Sequence, residues 1–346
     1  MHPAFLVRFF PSGPWRIGPD SGARDGVESV LHSDALYSAV TAAMARLGLL
    51  EEWLAAVFNT ADGPAVRFSS CYPFQRELLF VLPPQSLWPP APSLKVRWKG
   101  ARFVPVSVVE DLLAGRALNE ESWKVDGASR CLVPEEWGAG PFDTAVRSGA
   151  AVDRLSGGVA PYRTACLEFR SGAGMWAVVA FADEETKARW EGPVKAAMRL
   201  LGDTGLGGRR SCGWGRSSEV QLVDGALPSL VLRPEPIEAP DPEAEPKAAS
   251  ESAYWLLSLF SPREAEDVDW SRGNYSILTR GGRVESDSSN GAAKKPSRMV
   301  AEGSVLFAGV PPSGAALDVA PEGSAHPVYR GGFALAVSIP WREVAR

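Results

Sequence analysis

The first regular pattern along the chain is an apolar run, AFLVRFF at residues 4–10, which predicts a strand buried on both faces. A polar, glycine-rich loop follows (PSGPWRIGPDSGARDG), and then LHSDALYSAVTAAMARLG predicts a helix. Leu36, Val40, Met44 and Leu47 form its apolar face, Ser33 or Asp34 its N-cap and Gly48 its stop. Residues 49–58 predict a second short helix. In FSSCYPFQRELLFVLPP the LLFVLP part predicts a strand closed by prolines, and SSCYPF a loop laid over the helix. From Gln85 to Arg170 the periodicity weakens into proline pairs and short apolar runs. This stretch is expected to be an insertion, with a helix at 110–118, a polar loop at 151–161 (AVDRLSGGVAP) and a strand at 165–170.

The pattern then sharpens. MWAVVAF (175–181) predicts a strand, and residues 184–201 a helix with Trp190, Val194, Ala197, Met198 and Leu201 on one face. LGDTGLGGRRSCGWGRS (201–217) is a glycine-rich loop, and SEVQLV (218–223) alternates as a strand. With the insertion set aside the order is β-α-β-β-α-β, a ferredoxin-like α+β unit over residues 1–224. Residues 225–250, rich in proline and acid (RPEPIEAPDPEAEP), are expected to be a stiff linker. A second, degenerate ferredoxin-like domain is expected over 251–346. Its strands would lie at 254–260, 275–279, 299–307 and 333–339, with a mobile loop at ESDSSNGAAKKPS.

The glycine-rich loop carries the candidate chemistry. Six glycines in seventeen residues suit backbone that takes positive φ or passes close to another group. Arg209, Arg210, Arg216, Ser211 and Trp214 supply guanidinium forks, a hydroxyl and a flat ring, a set suited to a sugar–phosphate backbone. No Lys-Ser/Thr pair follows the last glycine, which excludes a Walker A loop. The helix–loop–strand order is the reverse of a dinucleotide-binding turn. An ordinary surface connection is the plain alternative.

Composition is globular, with 45% apolar and 22% charged residues among 346. No run is long enough to span a membrane, and there is no signal-peptide pattern. Four scattered cysteines and three histidines exclude a CxxC zinc site and a disulfide framework, and point to reduced thiols in the cytoplasm. No cofactor or metal is expected. A net charge of −5 does not suit a free-standing nucleic-acid binder, but residues 270–300 carry six cations against Glu285 and Asp287.

Five stretches together resemble a known family: LHSDALYSAV, SSCYPF with LFVLPP, AVDRLSG, the glycine-rich loop, and KKPSRMVAEGSVL. The chain is similar to RAMP-superfamily proteins, specifically the fourth subunit of the type III-A CRISPR (Csm) effector complex. Residues 85–150 and the tail after Val310 match no motif of that family. The resemblance implies a non-catalytic subunit that packs against the large polymerase/cyclase subunit and an adjacent backbone RAMP subunit, and holds the 5′ handle of the crRNA in antiviral defence. On that reading Gly205, Gly207 and Gly208 let backbone approach RNA, while Arg209, Arg210, Ser211 and Arg216 meet phosphates. Trp214 either stacks a base or pins the loop. His32 and Ser33 would contact RNA, with Asp34 the helix cap. His32 is also the candidate general acid or base of the alternative, a metal-independent repeat endonuclease. A third reading is a protein–protein adaptor. Arg154 either reaches RNA or pairs with Asp153, and Lys294, Lys295 and Arg298 either contact phosphate or protein or are simply solvated.

Overall fold

The structure, a computed structural model, describes residues 2–19, 21–60, 63–90, 98–233, 252–284 and 291–340. It is a mixed, α+β architecture of few helices and many antiparallel strands. The expected linker from residue 234 onward, and residues 285–290 of the expected mobile loop, lie outside the described residues.

The apolar opening run forms β1 (His2–Pro11), followed by helices α1 (Ser33–Arg46) and α2 (Leu50–Val57). Three short strands come next: β2 (Val66–Phe68), β3 (Tyr72–Gln75) and β4 (Leu78–Val81). SSCYPF is therefore no loop over the helix. Tyr72 and Phe74 are fully buried, because β3 pairs with the strand that follows the insertion. Within the expected insertion, β5 (Val104–Pro105) pairs with β4 and so extends the same sheet. The predicted helix at 110–118 sits earlier, as α3 (Val106–Leu113), with Val108, Val109 and Leu113 facing the core. A hairpin of β6 (Trp123–Val125) and β7 (Leu132–Pro134) follows. Then comes a long hairpin, β8 (Phe142–Val152) with β9 (Val159–Phe169).

β10 (Ala173–Phe181) is buried throughout and lies between β1 and the β2/β3 edge. Helix α4 (Glu184–Thr204) is capped by Asp183, whose carboxylate accepts the Thr186 N–H at 2.7 Å. The predicted Trp190–Leu201 face is buried as read. β11 (Ser217–Leu227) completes the sheet on the other side of β1. Three residues assigned to the linker, Gly225 to Leu227, thus belong to this strand. Counting the four main strands along the chain, their order in the sheet is fourth, first, third, second, all antiparallel.

The second half repeats that order. β12 (Ser252–Leu256) lies centrally, with β13 (Val268–Asn274) on the far side of its neighbour. A hairpin of β14 (Ile277–Arg280) and β15 (Ser297–Val300) precedes β16 (Val305–Ala308). A second hairpin, β17 (Gly314–Asp318) with β18 (Tyr329–Phe333), precedes β19 (Ala336–Ile339). The sheet reads β13-β16-β12-β19. Among the described residues this half contains no α-helix, and hairpins stand between its strands instead. The single strand expected at 299–307 is in fact two. The break at residues 301–304 places Glu302 in the interior, with Gly303 taking φ +81° to make the turn.

The two halves share one apolar core, in which Trp255, Phe307 and Phe333 pack with Tyr37, Phe68 and Trp176. A belt of buried polar groups crosses the same junction. Asp34 stands inside the first turn of α1, with His32 at the N-cap position, and its carboxylate accepts the Ala35 N–H at 2.8 Å. It accepts both prongs of the Arg280 guanidinium, at 3.0 and 3.1 Å, and lies 3.4 Å from Arg330 Nε. His32 Nδ1 meets Glu302 Oε1 at 2.8 Å, and the Ser70 hydroxyl donates to the same oxygen. Ser70 Oγ also accepts the Ser33 N–H at 2.8 Å, while Ser33 Oγ accepts the Leu259 N–H at 3.0 Å.

These charges survive burial through pairing. Desolvation pushes Asp34 and Glu302 up, but Arg280 with His32 and Arg330 at the first, and His32 with the Ser70 hydrogen bond at the second, together leave both carboxyls below their ordinary values. Burial pulls His32 down, yet the charge and hydrogen bond of Glu302 leave it above its ordinary value. Removing one partner strands the other, so Arg280→Ala or His32→Ala is expected to lose about 3–5 kcal/mol in urea unfolding. The pH profile follows by linkage. The carboxylate contribution is lost as pH falls through the lowered Asp34 and Glu302 values. The His32 contribution, full below its ordinary 6.5, is lost as pH rises through its raised value. Melting across pH is therefore expected to peak between about 4.5 and 6.5, the upper flank vanishing in His32→Gln.

Candidate nucleic-acid interface

The glycine-rich loop sits against two other parts of the chain, and residues 12–17 join them. On one side this segment pairs with the long hairpin, Trp15 and Leu167 exchanging backbone hydrogen bonds at 3.0 and 2.8 Å. On the other it binds the loop. Gly208 N–H donates to the Arg16 carbonyl (2.7 Å), Gly215 N–H to Pro14 (2.9 Å), and Ser12 N–H to Arg216 (3.0 Å). The Trp15 indole N–H also reaches the Arg216 carbonyl at 3.2 Å. Hairpin, connecting segment and loop are therefore one assembly.

This arrangement explains the glycines, in a way the residue pattern did not suggest. Gly207 takes φ +81° and approaches Arg16 so closely that a Cβ would lie 2.3 Å from its carbonyl oxygen. A Cβ on Gly215, at φ +80°, would lie 2.0 Å from the Leu206 oxygen. Gly205 is buried under the Trp214 carbonyl. The close approach that glycine permits at Gly205, Gly207 and Gly215 is to the chain's own backbone, whereas a Cβ on Gly208 would meet only ordinary contacts with Arg16.

The side chains divide clearly. Arg209, itself in the left-handed region at φ +61°, donates to the Tyr162 hydroxyl at 3.1 Å, and its guanidinium lies 5.4 Å from the Tyr162 and Trp214 ring centroids. Trp214 is half-buried beneath it, so it pins the loop while keeping part of its surface open. Ser211 and Arg216 are exposed and Arg210 is half-buried. AVDRLSG is not a loose loop but the tip of the β8–β9 hairpin. Asp153 closes that turn by accepting the Leu155 N–H (3.0 Å) and the Ser156 hydroxyl. Arg154 forms no ion pair with Asp153. It is exposed beside Leu155, which is 99% exposed.

The other expected site residues lie elsewhere. His32 and Ser33 belong to the buried belt, His32 being only 7% exposed. Glu302 supplies the hydrogen-bonded partner that the sequence reading could not find for this histidine, and both are sealed within the protein. Lys294, Lys295 and Arg298 lie along the β14–β15 hairpin, where the Lys294 and Lys295 N–H groups bond Gly282 and Val319; Lys295 and Arg298 are exposed. Sequence reasoning missed Arg16, Arg24, Tyr162 and Thr164, which gather around Arg209. The available signal was two arginines among the glycines of the first loop, in GPWRIG and SGARDG. Among the described residues, no three His, Cys, Asp or Glu side chains converge as metal ligands, and no helix is long and apolar enough to cross a membrane.

The model of the CRISPR Csm4 C-terminal domain matches residues 249–339. A chain from the crystal structure of the Csm3-Csm4 subcomplex in the type III-A CRISPR-Cas interference complex shares the fold at TM-score 0.60 and 14% identity, covering 98% of this chain and 99% of that one. Over residues 249–339, then, the chain carries a Csm4-type C-terminal domain. A chain of the Csm1-Csm4 cassette in complex with cA4 matches at TM-score 0.58 and 17% identity, over 99% of this chain and 100% of that one. A cassette in complex with pppApA gives 0.56 and 18%. No curated protein matches. At such identities these likenesses concern the fold of the whole chain, and the family match concerns residues 249–339. The resemblance to the fourth subunit of the Csm complex is thereby borne out, by family over residues 249–339 and by fold over the whole chain.

The tight packing of the glycine-rich loop makes a direct prediction. Gly215→Ala combines left-handed strain with a backbone clash and is expected to cost about 2–3 kcal/mol. Gly213→Ala shares the positive φ but points into open space, and is expected to cost about 1 kcal/mol. Thermal melting and the rate of proteolysis within residues 206–216 rank the two.

Proposed function

We propose that the chain is the non-catalytic subunit of a type III-A CRISPR-Cas complex that holds the 5′ handle of the crRNA and docks the large polymerase/cyclase subunit, beside a backbone RAMP subunit, in antiviral defence. Each half is read as a ferredoxin-like unit, the second degenerate. The shared fourth-first-third-second strand order supports this, and the lack of described helices accounts for the degeneracy. The observation that carries the RNA reading is the locking of the glycine-rich loop to the arginine-bearing hairpin across residues 12–17. It fixes Arg209 and Arg216 relative to the hairpin that ends in Arg154, as single-stranded RNA bound by its backbone requires. Gly205, Gly207, Gly208 and Ser211 shape that surface, with Arg210 and Trp214 at its edge. Lys294, Lys295 and Arg298 remain proposed for phosphate or protein contact on the second half. The burial of His32 and Ser33 favours structural duties for both and supports the non-catalytic reading. The reading sets the complex in the cytoplasm, the compartment suited to four free cysteines.

The test uses 5′-labelled repeat RNA, the purified chain with its large-subunit partner, and EDTA, resolved on native and denaturing gels. A shifted, uncut RNA is expected, with affinity falling at least tenfold in Arg154→Glu/Arg216→Glu, two exposed positions whose reversal leaves the melting temperature unchanged. Because phosphate binding releases counterions, affinity should also fall with salt, by about 0.7 log units per decade for each phosphate contacted. Cut RNA would overturn the non-catalytic reading. Full retention by the double variant would favour the adaptor.

A further inference from the structure

The cleft between the glycine-rich loop and the outer half of the β8–β9 hairpin encloses about 270 Å³ and is lined by Arg16, Arg24, Ala151, Tyr162, Thr164 and Arg209. Its charge is unbalanced. Arg16 is 9% exposed, and its guanidinium is pinned by the carbonyls of Ala23, Arg24, Gly26 and Ala165, at 2.8–3.0 Å. Carbonyl oxygens satisfy its donors but do not neutralise it. The Arg24 and Arg209 guanidinium groups stand 5.3 and 5.4 Å from the Tyr162 ring centroid. Among the described residues, none of the three arginines forms an ion pair with a carboxylate. The mutual strain shows in Arg16, which titrates below its ordinary value through burial first and then through the nearby charges of Arg209 and Arg24, with Asp25 and Cys166 opposing.

Two donors in the same cleft are also without partners. Thr164, 3% exposed, has a buried hydroxyl with no hydrogen bond, and Arg209 Nε is likewise buried and unbonded. Each such group costs about 1–3 kcal/mol unless something accepts from it. Three cations and two idle donors ask for a compact anion with several acceptor oxygens. A carboxylate offers two oxygens in one plane. A tetrahedral phosphoryl group presents acceptors in several directions at once and suits guanidinium donors arranged around it.

We propose that this cleft is a seat for one phosphoryl group, held by Arg24, Arg209 and Thr164 against the fixed positive wall of Arg16. The proposal rests on the RNA reading above and deepens it: the seat takes one particular phosphodiester of the bound RNA, while the outer arginines track the strand. Binding draws the two idle donors onto phosphate oxygens and relieves the repulsion among the arginines. The seat is lined by the hairpin strands through Ala151, Tyr162 and Thr164, and by the loop through Arg209. An occupying phosphate therefore ties the two together more firmly than the Arg209–Tyr162 hydrogen bond alone.

The experiment scans the repeat-derived RNA with a single neutral methylphosphonate at successive positions, bound to the chain with its large-subunit partner. Wild type is expected to lose about tenfold or more in affinity at one position and little elsewhere. Arg24→Gln, at an exposed residue, and the isosteric Thr164→Val are each expected to weaken unmodified RNA and to flatten that one sensitive position. A flat scan in wild type, or a sensitive position unmoved by either variant, overturns the seat while the RNA-holding reading stands. If no RNA binds at all, that reading falls, and titration with AMP decides the seat. AMP bound by wild type and lost in Arg24→Gln keeps it, with a free nucleotide as the source of the phosphoryl group. No AMP binding overturns it.

Discussion

Asp34 gripped by Arg280, with Arg330 alongside, is the interaction on which the arrangement of the two halves depends. An unpaired carboxylate at that depth would be ruinously unstable, so helix α1 can enter the fold only where the second half presents its guanidinium groups. His32, two residues earlier, repeats the arrangement with Glu302. Apolar packing alone would tolerate several relative placements of two sheets. A bidentate carboxylate–guanidinium pair is directional and selects one.

The SSC segment shows how local irregularity serves that junction. The edge of β10 is partnered first by β2 and then by β3, and Ser69, Ser70 and Cys71 fall between. Freed from the ladder, Ser70 donates its N–H to Leu257 and its hydroxyl to Glu302, while accepting from Ser33. Cys71 bridges to Leu31. One break in a strand thereby contacts both sheets and the start of α1.

At the opposite end, the glycine-rich loop is rigid for the reason that glycine is usually associated with flexibility. Without side chains, Gly207 and Gly215 let three backbone segments lie against one another, and the hydrogen bonds so formed hold the arginines in place. Stiffness matters for a nucleic-acid surface, because donors fixed in advance lose little entropy when RNA arrives. The hairpin tip follows similar logic, with Asp153 closing the turn and leaving Arg154 and Leu155 outside.

Local regularities were legible in the sequence. The buried strands at AFLVRFF and MWAVVAF, the face of α4 from Trp190 to Leu201, the stop at Gly48 and the glycine-rich loop all follow from periodicity and backbone preference, which act over a few residues. Motif order also carried the resemblance to the fourth Csm subunit. What sequence could not supply was the partner of each polar group. Asp34 reads as a helix cap until Arg280 is brought to it from 246 residues away, and His32 reads as exposed chemistry until Glu302 covers it. SSCYPF looks like a loop because its pairing strand lies a hundred residues further on. Arg16, Arg24, Tyr162, Thr164 and Arg209 are unremarkable one by one and become a cationic cleft only when the hairpin folds onto the loop. Backbone preference is a property of neighbours in the chain. Charge compensation and burial are properties of neighbours in space, and only the tertiary structure determines those.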